Sequence, residues 1–162
     1  MGGLIALLLA EKYAKKIKAF INIEGNLKSE DCSISRNLLS INNEALLNGI
    51  FRNYKFMMQL SKNRGLKRYA EELRKYEPQK SMYDYSPSLV EYSDHGNLIE
   101  RFASLKIPKS FIHGSENSRL SYITELKQKG VSVFEIADSN HFPQYDNPEE
   151  YYQYISSFVE MV

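Results

Sequence analysis

Three short segments with strand character, separated by helical stretches, constrain the fold of this chain more than any other feature. They are residues 18–24 (KAFINIE), 109–113 (KSFIH) and 131–136 (VSVFEI). Strands that are joined through helices of this length pair in parallel, with right-handed crossovers. The sequence therefore predicts an α/β fold built around a parallel sheet.

The last third of the chain carries the clearest helix signals. Leu120, Ile123 and Leu126 mark a short helix, and Gly130 fits its C-terminal cap. Residues 147–150 (NPEE) open a final helix with an N-cap side chain, a proline at the first helical position and two acids in the first turn. The apolar stripe predicted for this final helix comprises Tyr151, Ile155, Phe158, Val159 and Val162.

The middle of the chain has a different composition. Residues 28–104 are polar, helical in pattern and rich in Tyr and Met. We therefore predict that residues 1–27 and 105–162 form the sheet with its flanking helices, and that residues 28–104 form an inserted helical cap. Only three strands are readable, although a parallel sheet needs both faces covered. The helix at residues 4–10 (LIALLLA) is apolar on nearly every face, as helices inside larger structures are, so we expect a partial domain.

Composition and charge exclude several classes of function. The 162 residues carry 21 basic and 20 acidic side chains, and a net charge of +1 gives no electrostatic footprint for nucleic acid or an anionic membrane. One cysteine and three histidines exclude a disulfide framework and leave little for a metal cluster. The apolar run at residues 4–10 is too short to span a bilayer and lacks the features of a signal peptide. We predict a cytoplasmic protein without a cofactor, a metal, a nucleic-acid partner or a membrane partner.

The opening residues Met1-Gly2-Gly3-Leu4 resemble the segment just after the nucleophile elbow of α/β-hydrolases, where G-x-S-x-G lies at a sharp strand-to-helix turn. The resemblance continues along the chain. Residues 17–24 are similar to the strand after the elbow helix, 107–114 to the penultimate strand, and 139–150 to the catalytic-histidine loop and last helix. The resemblance implies the C-terminal half of an α/β-hydrolase with a helical cap. It places the nucleophile immediately before Met1 and gives the backbone N–H of Met1 to the oxyanion hole.

His141 is the candidate general base. It follows a predicted strand and precedes a capped helix, which places it at the carboxyl edge of the sheet, where a base can reach the nucleophile. On position alone, a surface-loop histidine that hydrogen-bonds the backbone is the better interpretation. The flanking Phe142-Pro143 and the helix start at residues 147–150 favour the catalytic interpretation.

Three residues compete as the acid that orients His141. By the resemblance, most family members carry Asp three residues after the glycine that ends the penultimate strand, and here Asn117 stands three residues after Gly114. An amide cannot stabilise an imidazolium with charge. Glu116 is adjacent, and Glu24 ends the strand after the elbow helix, where certain haloalkane dehalogenases place their acid. We favour Glu24 as the orienting acid over the interpretation that it is merely a strand-end glutamate exposed to water. Glu116 and Asn117 are the alternatives.

The remaining candidates have ordinary structural explanations. His95 and His113 are expected to be structural or solvent-facing, and nothing near Cys32 argues for a lowered thiol pKa. Aromatic and methionine side chains of the middle segment suit an adaptable pocket roof or, equally, the core of a helical cap. They are Tyr54, Phe56, Met57, Met58, Tyr69, Met82, Tyr83, Tyr85 and Tyr92.

The expected activity is serine-type hydrolysis of a small ester, amide or lipid-like molecule, with His141 as base and Glu24 as its orienting acid. The alternative is a non-catalytic, hydrolase-like fragment or interaction domain. Because the implied nucleophile precedes Met1, these residues alone are predicted to be inactive. We also expect the strand at residues 18–24 to bind a missing N-terminal half or to self-associate through its open edge.

Overall fold

The fold is built on a three-stranded parallel sheet in the order β1-β2-β3. It is seen in a computed structural model, which describes residues 1–41, 43–75 and 78–162. The strands are β1 (Phe20–Ile23), β2 (Lys109–Gly114) and β3 (Ser132–Ile136). In the register, Ile23 lies beside Ile112, and Ile112 lies beside Phe134. The predicted α/β class and the parallel pairing are therefore confirmed.

The first strand is shorter than the predicted residues 18–24. It begins at Phe20, whose N–H donates to the carbonyl of Pro108 at 2.9 Å, and it ends at Ile23. The strand cannot continue through Glu24, because the backbone there turns to φ 46°. The turn ends the extended conformation at the edge where the predicted site lies.

One face of the sheet is covered by α1 (Gly2–Lys12), α6 (Leu98–Ser104), α7 (Ile123–Gln128) and part of α5 (Pro78–His95). In this layer, Phe102 packs edge-to-face against Phe20 of β1 with ring centroids 5.3 Å apart. The predicted apolar helix at residues 4–10 lies within α1, where Ile5 and Leu9 remain 49% and 48% exposed. The buried side chains of this core include Leu4, Leu7, Phe20, Leu89, Leu98, Phe102, Phe111 and Leu126.

The other face is covered by α9 (Pro148–Glu160), which packs on Ile112 and Ile136. Its start matches the prediction, since the side chain of Asn147 accepts a hydrogen bond from the N–H of Glu150 at 3.4 Å. With both faces packed, the buried middle strand β2 is held between two apolar layers, as a parallel strand requires.

The apolar stripe predicted for α9 is wrong at two positions. Val159 and Val162 are 58% and 48% exposed, whereas Tyr154 is buried beside Tyr151 and Phe158. Tyr154 is amphipathic: its hydroxyl hydrogen-bonds to Ser110, and its ring stacks on Phe134 at 3.6 Å between centroids. These contacts turn the Tyr154 side of the helix toward the sheet and leave Val159 in solvent.

The middle segment is helical, with α2 (Ser33–Leu39), α3 (Glu44–Leu60), α4 (Arg64–Lys75) and α5 preceding α6. Leu38, Ile41 and Phe51 form a small core of their own. Residues 42, 76 and 77 of the predicted cap lie outside the described part of the chain. Within that part, no helix is long and apolar enough to cross a membrane.

A short helix not expected from the sequence, α8 (Pro143–Asp146), lies between β3 and α9. It packs against α4, and residues 61–63 connect α4 to α3. This contact brings the tip of the α3–α4 pair to the loop that follows β3. The α3–α4 pair therefore reaches the carboxyl edge of the sheet.

Candidate active site

Glu24 follows β1 directly and has an unusual backbone conformation. Its N–H still donates to the carbonyl of Ile112 at 3.0 Å, but its φ of 46° lies in the left-handed region that non-glycine residues avoid. Such conformations cost free energy and persist where the surrounding structure holds them, often at functional sites. Here the surrounding structure holds the side chain, which is only 6% exposed.

The carboxylate of Glu24 accepts hydrogen bonds from three groups. The N–H of Gly114 donates to Oε1 at 2.7 Å, and Nδ2 of Asn117 lies 2.8 Å from both oxygens. Nδ1 of His141 lies 2.9 Å from Oε2. Burial pushes the pKa of Glu24 upward, but the hydrogen bonds from His141, Asn117 and Gly114 outweigh it and hold the pKa below its ordinary value. Glu24 is therefore a buried anion at neutral pH.

His141 stands in the loop between β3 and α8, and its side chain is 53% exposed. Its ring packs edge-to-face on Phe142 at 4.9 Å between centroids. When Nδ1 carries the proton and donates to Glu24, the neutral imidazole keeps Nε2 as its basic nitrogen. A half-exposed imidazole in this state can take a proton from a nucleophile and return it to a leaving group.

The structure separates the three residues that compete as the acid. Glu24 contacts His141, and Asn117 donates to Glu24 rather than to the imidazole. Glu116 faces elsewhere: it accepts hydrogen bonds from Asn63 and Asn140, and Lys62 forms an ion pair with it at 3.1 Å. Of the three, only Glu24 contacts the imidazole, and Asn117 donates to Glu24; the role of Glu24 as the orienting acid stays a prediction.

Met1 lies near the same edge, at the N-cap of α1. Its amine is 3.5 Å from Oδ1 of Asn26, two residues beyond Glu24 in the chain, and burial lowers the pKa of this amine. The start of α1 therefore lies close to the loop that follows β1. The oxyanion role of the Met1 N–H stays a prediction.

The other candidates of the sequence analysis lie outside this pair. His113 is buried in β2 with Nδ1 3.1 Å from the carbonyl oxygen of Gly114, and His95 is exposed at the end of α5. Cys32 is buried beside Ser93, 2.9 Å from its hydroxyl. In the described ranges, no group of three or more His, Cys, Asp or Glu is arranged to hold a metal ion.

Sequence reasoning missed the residues that fasten the His141 loop. Asn140 donates through its side chain to Glu116 at 3.1 Å and through its N–H to Asp146 at 3.0 Å. Asp146 also accepts from the N–H of Gly65 in α4 at 2.8 Å. The only sequence signal was the position of Asn140 and Asp146 on either side of a candidate histidine. Glu116 and Gly65 lie 24 and 81 residues away from these partners in the chain.

The lowered pKa of Glu24 predicts how stability depends on pH. The folded-state pKa lies below the ordinary value of 4.5, so the stabilisation is present above that value and is lost as the pH falls through the folded-state pKa. We expect the difference in free energy of unfolding between the natural chain and Glu24→Gln to shrink below pH 4.5. Denaturant titrations across the acidic range measure this difference.

Asp31 is the matched control for this dependence. Burial raises its pKa above 3.8 despite hydrogen bonds from the N–H groups of Leu27 and Lys28. Its stabilisation is therefore present at low pH and is lost as the pH rises through the raised pKa. The Asp31→Asn comparison should show a trend opposite to that of Glu24→Gln. Trends of the same sign would contradict one of the two assignments.

Comparisons with known proteins support the fold. The sequence matches no protein-family model and no curated protein. Among solved structures, NosK from Streptomyces actuosus matches with a TM-score of 0.56 and 16% identity, over 99% of this chain and 65% of that one. MGS-M2, an alpha/beta hydrolase enzyme from a Medee basin deep-sea metagenome library, matches with a TM-score of 0.58 and 16% identity, over 98% of this chain and 62% of that one. The α/β-hydrolase fold is confirmed, and the chain spans less than two thirds of the length of these structures.

Proposed function

We propose that this chain supplies the base, its orienting acid and the helical cap of a serine-type α/β-hydrolase. The observation that carries the proposal is the contact of 2.9 Å between Nδ1 of His141 and the buried carboxylate of Glu24. A histidine that only hydrogen-bonds the backbone of a surface loop would not be expected to contact a buried carboxylate that two further donors also bind. An imidazole oriented in this way is what nucleophilic catalysis by a hydroxyl requires.

The proposed reaction is acyl transfer to a serine that precedes Met1, followed by hydrolysis. Nε2 of His141 removes the proton of the serine hydroxyl as its oxygen attacks the carbonyl carbon of the substrate. Glu24 stabilises the imidazolium that forms, and the N–H of Met1 contributes to the oxyanion hole. His141 then protonates the leaving group, and a water molecule releases the acyl group by the same steps. Without the nucleophile, residues 1–162 are expected to be inert, because kcat would be about 10⁶-fold lower than in a protein that contains it.

The surroundings of His141 support a substrate with an apolar portion. Phe142 contacts both His141 and the ring of Tyr69 in α4, the latter at 5.1 Å between centroids. Burial raises the pKa of Tyr69, so its hydroxyl stays neutral. This aromatic wall suits a small ester, amide or lipid-like molecule. Among the candidate roof residues, Phe56 and Met57 are 56% and 58% exposed, so they do not belong to a buried cap core.

A fluorophosphonate probe, which bonds covalently to activated serine hydroxyls, tests the proposal. The protein extended upstream of Met1 should be labelled at the residue just before Met1. Labelling should be lost in His141→Ala and retained in His95→Ala, which changes an exposed histidine at the end of α5. Labelling that is absent, or that survives His141→Ala, would refute the assignment.

A second candidate function, an interaction module with a hydrolase-like fold, is favoured by the outer edge of the sheet. Among the described strands, β1 pairs only with β2, so its other edge is available to a further strand. In α1, the helix that precedes β1, the apolar side chains of Ile5 and Leu9 are also about half exposed. A chain that is never labelled by the probe, but that associates with rising concentration in light scattering, would favour this module over the hydrolase.

A further inference from the structure

Two carboxylates fasten the turn between α3 and α4 to the loop that carries His141. Glu116 accepts from the side-chain amide of Asn63 at 3.2 Å and from that of Asn140 at 3.1 Å. Asp146 accepts from the N–H of Gly65 at 2.8 Å and from the N–H of Asn140 at 3.0 Å. We call these five residues the clasp. Each carboxylate bridges the α3–α4 segment and the loop, so two links, which share Asn140, join the same two parts.

Asn140 is the residue on which both links meet. Its side-chain oxygen also accepts the N–H of His141 at 2.7 Å. On the other side of the clasp, Asn63 is 7% exposed, and Ser61 fixes it through hydrogen bonds of 2.9 and 3.1 Å. The clasp therefore reaches from a buried, anchored side chain of the insertion to the residue that precedes the proposed base.

Gly65 allows the two parts to approach this closely. A Cβ at this position would lie 2.4 Å from Cβ of Phe142 and 3.1 Å from its carbonyl oxygen. Real Cβ atoms are not found as close as 2.4 Å to other heavy atoms, so any side chain here displaces α4 from the loop. Phe142 follows His141 directly and packs on its ring. The residues before and after His141 are thus both fastened to the insertion.

We propose that the clasp is a positioning device, which sets the ring of His141 against Glu24 and makes the state of the base depend on where α4 lies. This inference rests on the proposed function, because it gives a role to the loop that carries the proposed base. His141 needs such positioning because its side chain is exposed to solvent. His141 is 53% exposed, and a half-exposed imidazole on an untethered loop can rotate away from its carboxylate. The clasp removes that freedom from both sides of the residue.

The ring tautomer of His141 is the readout, because a merely structural role of the clasp would leave it unchanged. In the natural chain, nitrogen-detected NMR of the histidine rings should show His141 with its proton on Nδ1. The variants Gly65→Ala and Asp146→Asn both weaken the link through Asp146, the first by displacing α4 and the second by removing the negative charge. Both should cause loss of the Nδ1–H signal and a shift to the Nε2–H form that prevails in unrestrained histidine.

Matched controls separate the clasp from general effects. Gly49→Ala also adds a methyl group to a helical glycine, but nothing lies within 4 Å of the new atom. Asp84→Asn removes an exposed carboxylate from α5. Neither control should change the His141 signal. The buried His113, whose Nδ1 faces the carbonyl oxygen of Gly114, reports in the same spectrum whether the fold is intact.

Each outcome decides the question. Loss of the Nδ1–H form of His141 in both clasp variants, with His113 unchanged, supports the proposal. An unchanged His141 signal in either variant overturns it, and so does a change of His113 in both, since the clasp would then serve the fold as a whole. The readout needs no hydrolysis. A protein that never reacts with the fluorophosphonate can still keep its clasp, so the two proposals fail separately.

Discussion

Under the proposed function, replacing Glu24 with glutamine should lower kcat of the protein extended upstream of Met1 by about 10⁴-fold, as the loss of a triad carboxylate does elsewhere. Asn117→Ala should cost far less. Glutamine offers one acceptor oxygen to the donors that now meet at the carboxylate, Gly114 N–H, Asn117 Nδ2 and His141 Nδ1. Its own NH₂ group then faces further donors. His141 is expected to respond by moving its proton to Nε2, which removes the basic nitrogen from the reaction.

Steady-state hydrolysis of a short-chain ester chromogenic substrate measures both variants. Asn117→Ala keeps the contact between Glu24 and His141 and removes only a supporting donor, so it is the natural control. The assignment of Glu24 as the orienting acid does not survive if Asn117→Ala loses as much kcat as Glu24→Gln. Equal thermal stability of the two variants would show that the difference in rate arises in the site.

The second large effect is expected on stability, from Gly3→Ala. A Cβ on Gly3 would lie 2.5 Å from Cα of Gly25 and 3.0 Å from the side-chain oxygen of Asn22. The start of α1 and the loop after β1 meet there backbone to backbone, so neither can yield as a flexible side chain would. We expect a loss of about 3 kcal/mol or more, the upper range for overpacking. This loss is a large share of a total stability of about 5–15 kcal/mol.

Gly2→Ala is the matched control in the adjacent position of the same helix. Nothing lies within 4 Å of a Cβ on Gly2, so this substitution should be neutral or stabilise the helix by up to about 1 kcal/mol. Urea denaturation followed by circular dichroism measures both variants. Similar stabilities of the two variants would mean that α1 and the loop at Gly25 are not in close contact.

Much of this fold could be predicted from local sequence patterns. The segments 109–113 and 131–136 were recognised as strands, and residues 147–150 marked the start of α9 correctly, because these signals depend on neighbouring residues. The buried face of α9 was harder to predict. A helical period identifies several apolar positions, but the contacts of Tyr154 with Ser110 and Phe134 decide which of them face the sheet.

The candidate residues of the site could be named from the sequence, but the contacts between them could not. Spacing along a loop does not give the direction of a side chain, so Glu24, Glu116 and Asn117 remained alternatives from sequence. The structure shows that Asn117 donates to Glu24 and that Glu116 binds Asn63 and Asn140. The clasp depends on pairs separated by as many as 81 residues, and no local pattern encodes such pairs.

The left-handed backbone of Glu24 places two opposing demands on the side chain at this position. Aspartate and asparagine adopt a φ of 46° at a lower energetic cost than glutamate does, so the backbone conformation alone favours a shorter residue. Oε1 of Glu24 lies 2.7 Å from the nitrogen of Gly114, and Oε2 lies 2.9 Å from Nδ1 of His141. These contacts require the full length of glutamate. An aspartate would relax the turn and retreat from the imidazole by about one methylene length. At this position the length of the side chain matters more than the strain of the left-handed backbone. In related chains, a shorter acid here should therefore be accompanied by a different conformation of the loop around the histidine.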